Sequence, residues 1–123
     1  PLMNPGGALI TMSYYGADKA VRNYNMMGPV IAALQSSVRY MAHELGERDI
    51  RVFAVSPGPL RTRAASGIAH FDELIDMAVA RSPGRRLVDI AEVGGVVAFL
   101  VGGAASGMTG DVIYVDAGLH IVA

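Results

Sequence analysis

The chain has 123 residues, 52% of them apolar and 17% charged, which suits one small globular unit and excludes a disordered chain. A formal net charge of −1 and a pI near 6.3 give no support to a nucleic acid or an anionic membrane as partner. With no cysteine there are no disulfides and no thiolate metal sites, and His43, His70 and His120 lack metal-ligand spacing, so no metal is expected. No apolar run reaches the length of a membrane span and no signal-peptide pattern opens the chain, so a cytoplasmic protein is expected.

In chain order, "GALITMS" (7–13) follows an Asn-Pro-Gly-Gly turn signal and reads as a buried strand. "MGPVIAALQSSVRYMAHELGERDI" (27–50) reads as a helix, with Pro29 in its first turn and Ile31, Leu34, Val38, Met41 and Leu45 as an apolar stripe. Gly46 is its expected stop. "RVFAVSPGP" (51–59) is a second strand, ended by a Pro-Gly-Pro turn, and a short helix is expected around 71–80. "DIAEVGGVVAFLVG" (89–102) is a further helix, for which Asp89 and Glu92 spell a capping box. "GDVIYVDAG" (110–118) is the third strand.

The alternation predicts an α/β fold with three parallel strands and right-handed crossover helices. The apolar character of the strands predicts burial on both faces. A doubly wound nucleotide-binding sheet begins with a glycine-rich turn that sets phosphates at a helix N-terminus. Neither "NPGG" nor "VGGAASG" sits between a strand and a following helix, so that motif is absent from this chain.

Three separated stretches carry a family likeness. "SYYGADKAVRNYNMMG", "VRYMAHELGERDIRVFAVSPGPLRTRAASGI" and "GMTGDVIYVDAGLHI" together resemble the NADH-dependent enoyl-acyl-carrier-protein reductases. These are divergent members of the short-chain dehydrogenase/reductase superfamily. The likeness runs in register from about Pro5 to the end and covers only the second half of that fold. It therefore implies that residues 1–123 are the carboxy-terminal half of a single Rossmann-like reductase domain, a doubly wound parallel sheet. The glycine-rich first half would lie outside this chain, which begins at Pro1 rather than Met.

The resemblance implies hydride transfer from NADH to a trans-2-enoyl thioester in fatty acid biosynthesis. It further implies an acyl-carrier-protein substrate and a homotetramer. The family pattern is a tyrosine and, after six intervening residues, a lysine. Tyr24 matches the tyrosine, but Ile31 stands at the lysine position, where the family lysine holds the cofactor's ribose. Tyr14 matches the family's other active-site tyrosine. "SPGPLRT" (56–62) matches the loop along the nicotinamide, giving Leu60 and Thr62 as cofactor contacts. "RAASGIAHF" (63–71) matches the substrate-binding segment. Ala64, Ala65, Ile68 and Phe71 are thus implied as substrate contacts, and Met27 as a further one.

Taken as residues alone, Tyr24 is also a plain boundary tyrosine, and Ile31 an ordinary core residue of its helix. Arg61, Arg63, Arg81, Arg85 and Arg86 suit either an acidic carrier protein or a solvated surface. Residues 63–82 lack a long apolar stripe, and this segment is expected to be the most mobile. Two other readings stay open. One is a non-catalytic relative of the superfamily. The other is an ordinary short-chain dehydrogenase using Tyr15 and Lys19, which spell its Tyr-x-x-x-Lys signature only two residues after Ser13.

Overall fold

The computed structural model describes residues 2–62 and 70–123. Three parallel strands, β1 (Ala8–Met12), β2 (Arg51–Pro57) and β3 (Val112–Val115), form one sheet in the order β1-β2-β3. Register runs from Ala8 opposite Arg51 to Met12 opposite Val55, and from Ala54 opposite Val112 to Pro57 opposite Val115. Four α-helices accompany it: α1 (Met27–Leu45), α2 (Phe71–Arg81), α3 (Ile90–Val101) and the single turn α4 (Leu119–Val122).

The strands differ in burial. In β2 every residue from Arg51 to Ser56 is buried, whereas β1 and β3 are half-buried and Met12 is exposed. Burial on both faces therefore holds for the central strand alone. The outer edge of β1 has no strand partner among the described residues, and its apolar side chains are correspondingly only partly covered.

Phe53 and Val55 on one face of β2 meet Val93 and Leu100 of α3, with Val88 and Ala105 completing that cluster. Val52 and Ala54 on the other face meet Val38 and Ala42 of α1. The alternation along β2 thus assigns one helix to each face, as the two-residue period of a strand requires. On α1 the buried line runs Gln35, Val38, Ala42, while Met41 of the expected stripe is 40% exposed. Val38 of the stripe is buried as expected, Ile31, Leu34 and Leu45 are half-buried, and a polar residue, Gln35, takes a core place. Its amide donates to Ser13 Oγ at 2.8 Å, which satisfies both groups away from water.

Arg51 opens β2 at 8% exposure and is held without a carboxylate. Its Nη1 donates to the carbonyls of Leu100 (2.7 Å) and Ala105 (2.9 Å), and its Nη2 to that of Val101 (3.3 Å). These are carbonyls at the end of α3, where the helix dipole favours a cation. The start of α3 carries the expected capping box: Glu92 N–H donates to Asp89 Oδ1 at 2.8 Å and Asp89 N–H to Glu92 Oε2 at 2.9 Å. The expected helix near 71–80 is present as α2, with Asp72 and Glu73 in its first turn and Arg81 in its last. Of the 63–82 segment, residues 63–69 lie outside the described residues.

Candidate active site

The strands' carboxyl ends, the Tyr14–Met26 loop and α2 enclose a cavity of about 610 Å³. That is the end of an open parallel sheet at which ligands bind. Tyr14, Tyr24, Leu60, Thr62 and Phe71 all line it, so five of the residues singled out in the sequence converge. Met77 and Leu74 of α2 add apolar wall, and Arg22, His70 and Glu73 add polar groups.

Tyr14 follows β1 and a buried Ser13 whose N–H donates to Val55 at 2.7 Å. Its ring centroid lies 5.2 Å from that of Tyr24 and 4.4 Å from that of Tyr15, both tilted. Its hydroxyl oxygen is buried and has no hydrogen-bond partner among the described residues. Burial, reinforced by the neighbouring Tyr15, raises its pKa well above the usual phenol range. Tyr24 is less buried, and desolvation raises its pKa too.

The backbone that aims Tyr24 is a turn, not a helix. α1 starts at Met27, where the sequence reading placed it, so Tyr24 lies outside the helix. Tyr24 is flanked by Asn23 (φ 64°) and Asn25 (φ 48°), both in the left-handed region that asparagine enters more readily than most residues. Tyr24 N–H donates to the Val21 carbonyl, and the Tyr24 carbonyl accepts from Met27 N–H, each at 3.1 Å. The Asn-Tyr-Asn string is the signal that could have located this turn.

Tyr24, Met27 and Ile31 therefore do not form one helical face. Met27 is 49% exposed and does not line the cavity. Ile31 is half-buried on α1 and does not line it either. It sits one turn before Gln35, the residue bonded to Ser13 just past the end of β1. Ala64, Ala65 and Ile68 lie outside the described residues, as does Arg63.

Leu60 packs against the α3-side core while facing the cavity, and Thr62 N–H donates to the Leu60 carbonyl at 2.9 Å. The turn before them is tight: a Cβ on Gly58 would lie 3.2 Å from Cβ of Asp116. The remaining arginines are mostly occupied. Arg61 pairs with Asp72 (3.4 Å), Arg86 grips both carboxylate oxygens of Glu92 (2.8 and 2.6 Å), and Arg85 donates to the Ala80 carbonyl.

The Tyr15/Lys19 pair is placed otherwise. Tyr15 is 5% exposed in a core cluster with Ala78 and Leu119, and it does not line the cavity. Lys19 Nζ donates to the His120 carbonyl at 2.5 Å. The lysine is tethered and the tyrosine is part of the core, both away from the cavity. Among the described residues no cluster of histidine and carboxylate side chains could hold a metal ion, and no helix is long and apolar enough to cross a membrane.

Comparison with known proteins gives the family and agrees on the fold. A family model described as enoyl-(acyl carrier protein) reductase matches residues 1–120. The enoyl-acyl-carrier-protein reductase (NADH) FabI of Enterococcus faecalis is 46% identical over 98% of this chain and 48% of its own. The Escherichia coli protein of that name is 47% identical over 99% of this chain and 47% of its own. Among solved structures, the reductase from Aquifex aeolicus superposes with a TM-score of 0.94 at 41% identity, covering 99% of this chain and 48% of that one. The reductase from Anaplasma phagocytophilum, solved in complex with NAD, gives 0.91 at 41% identity, covering all of this chain and 45% of that one. The chain spans about half the length of the relatives it matches. With a family model over nearly its whole length and a parallel α/β sheet to match, the chain belongs to the enoyl-(acyl carrier protein) reductase family.

Proposed function

We propose that residues 1–123 form the carboxy-terminal half of an NADH-dependent enoyl-acyl-carrier-protein reductase, and that the half with the glycine-rich turn completes its cofactor site. The observation that carries this reading is the convergence of Tyr14, Tyr24, Leu60, Thr62 and Phe71 on one cavity at the carboxyl ends of the strands. The relatives' names specify NADH and an enoyl-acyl-carrier-protein substrate. A cytoplasmic homotetramer goes with the same reading. Its support here is the exposed apolar residues Val30, Tyr40 and Met41 on α1 and Phe99 and Val101 on α3, which suit packing against other chains.

The residues present fit the nicotinamide end of the cofactor. The Pro57–Leu60 turn and Thr62 form one wall of the cavity, and the unpartnered Tyr14 hydroxyl belongs to a lining residue. They do not fit the ribose at position 31, where isoleucine offers no donor. When bound, NADH would supply a hydride to the β-carbon of the enoyl thioester; negative charge would then develop on the thioester oxygen, and a proton taken up at the α-carbon would complete the reduction. Tyr24 is the donor to that oxygen, a contact that strengthens as negative charge develops. A phenol is protonated at neutral pH, as a donor must be, and burial pushes the Tyr24 pKa further up. Tyr14 lines the same pocket. Phe71, Leu74 and Met77 form apolar wall for the acyl chain. The segment with Ala64, Ala65 and Ile68 completes the substrate side of the reading.

The test is steady-state reduction of a crotonyl thioester by NADH in the full-length polypeptide. Tyr24→Phe is expected to lower turnover with little change in fold. Unchanged turnover in Tyr24→Phe together with inactivity in Tyr15→Phe would overturn the assignment.

A further inference from the structure

Resting on the reductase reading above, we propose that the hydrogen bond from Tyr114 to Asp18 makes the carboxy-terminal segment a clamp that positions the loop carrying Tyr24. Tyr114 Oη donates to Asp18 Oδ2 at 2.6 Å, joining residues 96 positions apart. The Tyr114 ring stacks on the His120 imidazole, with centroids 3.9 Å apart and planes 11° from parallel. His120 Nδ1 in turn lies 3.0 Å from both oxygens of the buried Asp116 carboxylate, which also accepts from His120 N–H at 2.8 Å and Gly118 N–H at 3.0 Å. The residue next to Asp18, Lys19, donates to the His120 carbonyl. Two adjacent loop residues are therefore tied to the segment 114–120 at two points.

The tie reaches the site from both sides. Asp18 follows the one-turn 3-10 helix Tyr15–Ala17, and the ring of Tyr24 rests on Gly16 in that turn. Asp116 backs against Gly58 of the cavity-lining turn, so the same segment braces the opposite wall. The loop needs such a brace. Residues 18–26 form no helix or strand, and Asn23 and Asn25 hold left-handed conformations on either side of Tyr24. Neither Asp18, Tyr114, Asp116 nor His120 lines the large cavity, so these are positioning residues and not catalytic ones. Burial, and then the bond to Asp18, raises the Tyr114 pKa to about 12, so the phenol remains a donor throughout the neutral range.

The experiment uses the full-length polypeptide with Tyr114→Phe, Asp18→Ala, their double variant, and Asp18→Asn, which keeps an acceptor. Two readouts are taken: kcat and KM for NADH with a crotonyl thioester, and the ring signals of ¹³C-labelled tyrosines, with Tyr24 assigned through Tyr24→Phe. Loss of one hydrogen bond is expected to lower kcat about three- to tenfold, with KM for NADH within about twofold. The double variant should be no worse than either single one, and Asp18→Asn should recover most of the loss. The Tyr24 signal, shifted by the Tyr14 ring, should move in both single variants and hold in Asp18→Asn. Additive losses, or unchanged kcat with an unmoved Tyr24 signal, overturn the clamp. Should Tyr114→Phe fail to fold, the exposed Asp18 provides the same comparison through Ala and Asn. If the unsubstituted protein reduces no enoyl thioester, the reductase reading fails; the Tyr24 signal alone then decides the clamp, upholding it if it moves and overturning it if it does not.

Discussion

The ring of Tyr24 lies against the backbone of Gly16. A Cβ built on that glycine would sit 2.7 Å from both Cδ1 and Cε1 of the ring, closer than carbon atoms approach. The phenol is therefore aimed by a missing side chain eight residues earlier in the chain. Gly16→Ala is expected to push the ring out of place, costing about 1–3 kcal/mol of stability by overpacking. Turnover in the full-length polypeptide should fall further than that loss of stability explains. Comparing kcat with the denaturation midpoint checks this; a fall in the midpoint with undiminished kcat would contradict it.

Tyr14 allows a sharper separation of stability from activity. Its hydroxyl is buried without a partner among the described residues, a condition that destabilises the free protein. Tyr14→Phe removes that oxygen and keeps the ring packed on Tyr15 and Tyr24. The variant should be as stable as the parent or more so, by about 1 kcal/mol in urea denaturation. If the hydroxyl meets ligand in the complete site, turnover should fall at the same time. A stability loss above about 1 kcal/mol would show that the hydroxyl has a partner in the folded protein.

The fold was legible where one physical rule governed a segment. The apolar runs gave three strands, and the Asp89/Glu92 pair gave the start of α3 to the residue. What was not legible depended on distant contacts. Gln35 is buried with its amide on Ser13 Oγ, far off in sequence, while Met41 stays 40% exposed. Half-burial of β1 and β3 depends on what lies beside them, which a strand's own composition does not record. In the site, Tyr14, Tyr24, Leu60, Thr62 and Phe71 converge as motif matching implied, but Met27 does not join them. Met27 belongs to the first turn of α1, while Tyr24 is set apart from it by the left-handed Asn23 and Asn25. The Tyr114–Asp18 tie joins opposite ends of the chain and left no local signal.

Arg51 tests the mortar between sheet and helix. Its guanidinium holds three carbonyls at the end of α3. Arg51→Met keeps an apolar stem over Phe53 and leaves those carbonyls buried or half-buried without their donors. A loss of about 2–4 kcal/mol in denaturant unfolding is expected. A change within about 0.5 kcal/mol would mean that water replaces the guanidinium there.

Glu92 provides a pH-dependent check at the other end of α3. The Arg86 hydrogen bonds, followed by the Asp89 N–H, lower its pKa to about 2. A carboxylate whose folded pKa is lowered stabilises the fold above its unfolded value near 4.5, and that contribution disappears as pH falls toward about 2. Arg86→Ala should bring the Glu92 titration, followed by carboxyl ¹³C NMR, up toward the ordinary range. It should also flatten the loss of stability between those two pH values. A titration that stays near 2 would assign the shift to the capping box alone.

Ile31 decides whether the site is complete. It lies on α1 one turn before Gln35, which bonds Ser13 just past the end of β1, and in the proposed reading a cation at this position would hold the ribose. Isoleucine there offers no hydrogen bond and adds no positive potential near Tyr24. A charged hydrogen bond contributes roughly 1.5–3 kcal/mol, so its absence should weaken cofactor binding or slow turnover by about ten- to a hundredfold. Ile31→Lys is expected to recover that factor in the full-length polypeptide assayed with NADH and a crotonyl thioester. The fold should tolerate the change. Position 31 is only half-buried, so a lysine can lay its stem along the helix and keep its ammonium in water or on ligand. A gain in NADH affinity at constant kcat would mean that the cation serves binding. A gain in kcat at constant affinity would mean that it acts through Tyr24. No gain in either, from an enzyme already efficient, would show that another group holds the ribose. Inactivity of both forms, with NADH unbound, would instead favour a relative of the reductases that has given up the reaction and kept the fold.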